Sequence, residues 1–157
     1  MRAPQEIRTF FVTSVSNGRR PALRPEKMAR LLIDVFAENR SLSRFLLHEF
    51  VIMPDHFHLI LTPAENVSLE KALQYIKGGF SFRAKRELRY ARLVWEEGFT
   101  NHRIRDEKDY DQHRDYIHQN PVAAGLSKTA QEYPYSSAFP GTAIDPAPPG
   151  LKPVSKK

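Results

Sequence analysis

The sequence predicts an α+β protein: a ferredoxin-like antiparallel sheet built in the order β-α-β-β-α-β, with one further helix added at the C-terminal end. Three observations lead there. Runs of β-forming residues alternate with stripes at helical spacing in that order. The second and third strands are separated only by Pro54 and Asp55, a connection short enough for an antiparallel hairpin. The two internal helices carry one-sided apolar stripes, which suits helices laid on one face of a sheet.

Each element has its own signal. Thr9 to Ser14, "TFFVTS", reads as the first strand, and "NGRRP" after it has turn chemistry. Met28, Leu31, Leu32, Val35 and Phe36 fall at helical spacing and predict a helix from Pro25 to Glu38. Arg44 to Met53 reads as the second strand, stopped by Pro54; His56 to Thr62 reads as the third, stopped by Pro63. Ser68 is a candidate N-cap. It precedes a stripe of Leu69, Ala72, Leu73, Ile76 and Phe80, interrupted by Gly78 and Gly79, which predict a kink or a close backbone approach. "VWEEGFTNHRI" reads as a turn and a fourth strand ending near Ile104. The last helix begins at Asp106, and Pro121 and Gly125 terminate it. One domain is expected over residues 1–138. From Phe139 onward five prolines, two glycines and two terminal lysines predict a disordered tail over 139–157.

The bulk composition narrows the function classes. The chain has 157 residues, enough for one ordinary core. With no cysteine, disulfides, thiolate catalysis and Cys-based zinc sites are excluded. No apolar run reaches transmembrane length and the N-terminus lacks a secretory pattern, so a cytoplasmic protein without a membrane partner is expected. The net charge is +6, and "RAKRELRYAR" concentrates Arg83, Lys85, Arg86, Arg89 and Arg92 against one acid, Glu87. Such clustering suits either a solvated helix face or a nucleic-acid surface.

"MPDHFHLIL", Met53 to Leu61, is the most informative stretch. Strand alternation puts His56, His58 and Ile60 on one face and Phe57, Leu59 and Leu61 on the other. The two imidazoles then stand roughly 7 Å apart at their backbones, close enough to converge on a cation or a phosphate. A metal needs a third ligand, and the last helix offers candidates. In "DYDQHRDYIHQNPV", His113, Tyr116 and Asn120 share one face, while Tyr110 and Ile117 point toward a core.

"MPDHFHLIL", "YIHQNPVAAGL" and "YPYSS", taken together, resemble the single-tyrosine HUH transposases of small insertion sequences, in the branch associated with repetitive extragenic palindromes. The resemblance runs from about Thr9 to Ala138. It implies that Tyr116 is the nucleophile and that His56 and His58 hold a divalent metal, Mg²⁺ or Mn²⁺. Asn120 is implied as third ligand, with Gln119 as fallback. It further implies single-stranded or hairpin DNA from repetitive palindromes as substrate, cleaved and rejoined through a 5′-phosphotyrosine, by a monomer or a homodimer. Asp55 stands where asparagine is commoner in that family, and Tyr135 where tryptophan is commoner. Lys77, Arg83, Arg86, Arg89, Arg103 and Arg105 are the candidate DNA-binding cations, with Phe82, Tyr90 and Trp95 as candidate stacking surfaces. His113 and His118 are the candidate general bases. The principal alternative is a domesticated hairpin-binding protein without mobilising activity.

Overall fold

The computed structural model describes residues 7–148 and 150–153. Four strands, β1 (Thr9–Val15), β2 (Phe45–Met53), β3 (His56–Pro63) and β4 (Thr100–Ile104), form one sheet in the order β2-β3-β1-β4. Every neighbouring pair is antiparallel. This is the predicted ferredoxin-like order. Helices α1 (Glu26–Ser41) and α2 (Leu69–Leu88) cross over one face. There the apolar stripes read from the sequence are buried against Val12, Phe57, Leu59 and Leu61. Phe36 meets Phe50 and Phe57 edge-on, the ring geometry that quadrupoles favour.

The added helix, α3 (Glu107–Ala123), lies on the opposite face. Its buried side, Tyr110 and Ile117, packs with Val51, Met53, Ile60, Ile104 and Tyr133. The side chain of Asp106 accepts from the Asp109 amide and caps its start. Of the two stops read from the sequence, Pro121 and Gly125, the helix runs on through the first to Ala123. Pro121 lacks an amide hydrogen and crowds the carbonyl four residues before it, a cost met here within the last turn of the helix. The true stop is Gly125, with φ +75°. Leu126 N–H donates to the Pro121 carbonyl and Gly125 N–H to that of Val122, a Schellman closure.

Strand β2 departs from simple alternation. Its register with β3 shifts between Leu47 and Glu49. Phe45 and Leu47 face α1 and α2 before the shift, Phe50 and Ile52 after it. The extra residue, His48, therefore reverses the phase of the strand. It is fully buried, bonded through Nδ1 to the Pro146 carbonyl and through Nε2 to Thr62 Oγ1.

Beyond residue 138, where a disordered tail is predicted, the chain follows the outer edge of β2. The pairing begins earlier, with Ile52 N–H donating to the Tyr135 carbonyl and Ser137 N–H to that of Phe50. Asp145 and Leu47 then exchange backbone and side-chain bonds. Arg40 holds the Asp145 carboxylate with two nitrogens at 3.0 and 3.1 Å. Burial works against the charge on Asp145, but the Arg40 fork and the Leu47 amide outweigh it and hold the carboxyl below its ordinary range. Proline-rich composition hides this order because the contacts are single polar anchors with no period. Residues 149 and 154–157 of the expected tail and 1–6 of the expected domain lie outside the described residues.

Gly78 and Gly79 sit inside an unbroken α2. A Cβ added at Gly79 would meet Val35 at 3.8 Å, an ordinary contact, and one added at Gly78 would meet nothing within 4 Å. Gly78→Ala is therefore expected to stabilise the fold by about 0.5–1 kcal/mol. Chemical unfolding measures it, and an unchanged or lower stability would contradict it.

Candidate active site

The face that carries α3 also carries the histidine pair. Residues 56 and 58 of β3 oppose Val15 and Thr13 on β1, and Met53 and Val51 on β2. The pair thus begins immediately after the hairpin turn, next to the central strand. The imidazole centroids are 4.8 Å apart. His56 Nδ1 lies 2.7 Å from Asp55 Oδ1. A carboxylate oxygen accepts, so Nδ1 donates to Asp55 and Nε2 is the nitrogen turned away from it. Asp55 is thereby an orienting group, itself 3.7 Å from the guanidinium of Arg19.

His58 is 5% exposed and shares a 2.7 Å hydrogen bond between Nδ1 and Thr13 Oγ1. Its Nε2 is buried with no hydrogen-bond partner among the described residues. A buried polar atom without a partner costs about 1–3 kcal/mol, and a ligand that it binds removes the cost. Burial, and secondarily the neighbouring His56, lowers its pKa from 6.5 to about 3. The ring is therefore neutral at physiological pH, as a metal ligand must be.

That shift has a consequence for folding. The native state resists protonation at His58, so on acidification the unfolded chain takes up the proton first. The contribution is complete above about pH 6.5 and drains away as the pH falls toward 3. His58→Phe, which keeps a ring, is expected to flatten the stability–pH profile between those limits. His48, also lowered by burial, leaves a residual slope of the same sign. A profile identical to the unmodified protein's would count against the neutral, buried imidazole.

Tyr116 lies on the exposed side of α3, over this pair. Its ring centroid is 5.3 Å from that of His58 and 6.0 Å from that of Phe11, yet the residue stays 52% exposed. Phe11 on β1 stacks on His58 at 5.2 Å and supports the group from below. Asn120 follows Tyr116 by one turn on the same face of α3. The two candidate bases both have acidic neighbours: His113 Nδ1 is 2.8 Å from the Asp109 backbone carbonyl and 3.0 Å from its carboxylate, and His118 Nε2 is 2.6 Å from Glu49.

The sequence-predicted cations fall elsewhere. Lys77, Arg83, Arg86 and Arg89 belong to α2 and its C-cap, on the other side of the sheet from the histidines. Lys77 donates to the Glu96 and Gly98 carbonyls, and burial lowers its pKa. Arg83 is paired with Glu87 and Glu38, and Arg86 with Glu87. Arg103 is on β4, opposite Phe10, and Arg105 just beyond that strand is exposed. Trp95 is buried against Phe57 and Phe80 and donates to the Lys77 carbonyl, so its ring is core. Tyr90 packs at the rim of the same core, whereas Phe82 is exposed beneath the Arg86 guanidinium. Arg19, in the turn after β1, is the cation beside the histidine pair. "NGRRP" contained the signal, but a turn reading takes the residues as punctuation.

A fold, a His-x-His pair and a helix-borne tyrosine can be compared with known proteins. The family described as "Transposase IS200 like" matches residues 8–120. The chain belongs to the IS200-like transposase family. Within it, the REP-associated tyrosine transposase of Escherichia coli is 30% identical over 130 residues, covering 82% of this chain and 74% of that protein. A candidate REP-associated tyrosine transposase of Haemophilus influenzae is 34% identical over 96 residues, covering 55% of this chain and 54% of the relative's length. A solved REP-associated tyrosine transposase, bound to a REP hairpin, superposes with a TM-score of 0.71 at 25% identity. That match covers 97% of this chain and 94% of the other, so the transposase fold extends through the C-terminal segment along β2. The REP-associated tyrosine branch expected from the sequence motifs is the branch in which these relatives lie. No helix among the described residues is long and apolar enough to cross a membrane.

Proposed function

We propose that this IS200-like transposase binds hairpin DNA of the repetitive-palindrome type and cleaves and rejoins an adjoining single strand, with Tyr116 as nucleophile. The observation that carries the reading is the half-exposed phenol beside an imidazole whose Nε2 is buried and unpartnered. His58, neutral and with a buried Nε2 that has no partner among the described residues, lies beside the His56 ring; these two and Asn120 are the residues that would hold a divalent ion, with Mg²⁺ or Mn²⁺ expected from the family rather than from the donor set. When bound, such an ion offsets the charge of the scissile phosphate and orients it for in-line attack.

The chain's own groups account for the rest. The Tyr116 oxygen forms a bond to phosphorus as the bond from phosphorus to the 3′-oxygen breaks. The phenolic proton leaves to solvent or base, and the departing 3′-oxygen takes one up. The product is a 5′-phosphotyrosine and a free 3′-hydroxyl. The reverse attack by a 3′-hydroxyl reseals a strand without further energy, because the phosphoester is conserved. Asp55 and Thr13 fix the two rings through Nδ1. Phe11 limits water beneath the phenol. Arg19, exposed at the mouth, suits a DNA phosphate better than the α2 cations do.

The test is a labelled hairpin with a single-stranded flank, incubated with the protein and Mg²⁺ or Mn²⁺ and resolved on a denaturing gel. A protein–DNA adduct that disappears with chelator is expected. Hairpin binding without any adduct would establish a binding protein without catalysis and overturn the nuclease reading.

A further inference from the structure

A second cluster of metal-ligating groups lies on the same face of the sheet, outside the proposed nuclease centre. His102 on β4, and Asp109 and His113 on the first turns of α3, offer one ligand atom each, all within 4.8 Å of one another. His102 Nε2 is 2.7 Å from Asp109 Oδ2; His113 Nδ1 is 2.8 Å from the Asp109 backbone carbonyl and 3.0 Å from Asp109 Oδ1, so a metal at that nitrogen would replace the bond to the carbonyl. The two imidazoles stack with centroids 4.7 Å apart and an interplanar angle of 18°. The Phe11 ring touches His113 on this side and His58 on the other, and so separates the two groups.

We infer that His102, Asp109 and His113 form a second cation site, selective for a first-row transition metal such as Zn²⁺, Ni²⁺ or Co²⁺. Two nitrogens and one carboxylate oxygen are a donor set that imidazole-seeking ions prefer and that Mg²⁺ does not. Ligands about 2.1 Å from a tetrahedral ion lie about 3.4 Å apart, so the widest pair of the cluster has to close by up to about 1.4 Å. Rotation of the His102 ring, which lies half open to solvent, provides that. The carboxylate also explains why two stacked imidazoles are tolerated here, because both turn a nitrogen to the same anion. The open side leaves room for water to complete the coordination shell.

The position gives the site a role distinct from catalysis. It ties the edge strand β4 to the start of α3, three residues before Tyr116. Metal there would fix the helix that carries the phenol without touching the phosphate. This inference does not depend on Tyr116 being a nucleophile.

Calorimetric titration of the whole chain with Zn²⁺ tests it, with circular dichroism as the check on folding. Two equivalents are expected to bind the unmodified protein. His102→Ala with His113→Ala should lose one equivalent and keep the other; His56→Ala with His58→Ala should do the converse. Two equivalents surviving in the first variant, or none in the second, would overturn the site. Should either variant fail to fold, nuclear magnetic resonance of the unmodified chain decides. Substoichiometric Co²⁺ should shift the imidazole protons of His102 and His113. Shifts confined to His56 and His58, or no shifts at all, would refute the proposal.

Discussion

Tyr116→Phe is expected to remove the covalent protein–DNA adduct altogether while leaving hairpin binding and thermal stability nearly unchanged. The reasoning is local. The residue is half exposed, and its ring contacts are to the edges of His58 and Phe11, which phenylalanine preserves. Only the phenolic oxygen is lost, and no other atom of that side chain can attack phosphorus. A nucleophile's removal typically costs several orders of magnitude in rate, so the readout is loss of a band rather than a shift. His56→Ala should also suppress the adduct, but higher Mn²⁺ should recover part of it, because ligand loss weakens binding whereas nucleophile loss does not. An adduct persisting in Tyr116→Phe would move the nucleophile elsewhere. Tyr110 is poorly suited, since burial and then Glu49 push its phenol well above the ordinary range.

The second large effect concerns stability. Truncation after Ala138 should lower stability by about 3 kcal/mol or more, a fall in Tm of roughly 10 °C. It removes the Arg40–Asp145 fork, both Leu47–Asp145 bonds and the carbonyl that satisfies buried His48. It also uncovers part of the β2 edge, whose free amides and carbonyls invite association between copies. Differential scanning calorimetry and light scattering read both consequences. Asp145→Asn separates the charge from the covering segment and should cost less. A truncated chain as stable and monodisperse as the full one would show that the segment is only draped on the surface.

How far the sequence predicted these features depended on the kind of signal. Strand and helix stripes carry a period, and so the six core elements, the Ser68 cap and the shared face of His56 and His58 were legible. The family followed from three short motifs. Three features had no period to announce them. The His48 bulge reverses a strand's phase with one residue, and nothing in "FLLHEFVIM" marks which residue is extra. The covering segment is held by isolated anchors such as Asp145. The pairing of the α2 cations was not legible either: Arg83 and Arg86 turn to Glu87 on their own helix, and Lys77 to carbonyls across a loop. Composition counts charges but not where their partners lie. Conversely, Asp55, read as a departure from the family pattern, orients His56, a role invisible until the turn that places it is formed.

The placement of Tyr116 on the last long helix has a consequence for synthesis. The imidazole pair is complete once β1 and β3 have paired, but the phenol reaches it only after α3 has emerged and docked. A chain still on the ribosome, paused before residue 107, therefore holds the two imidazoles without the phenol. Under the proposed function, the order of the polypeptide itself would delay DNA-cutting competence until α3 has been made.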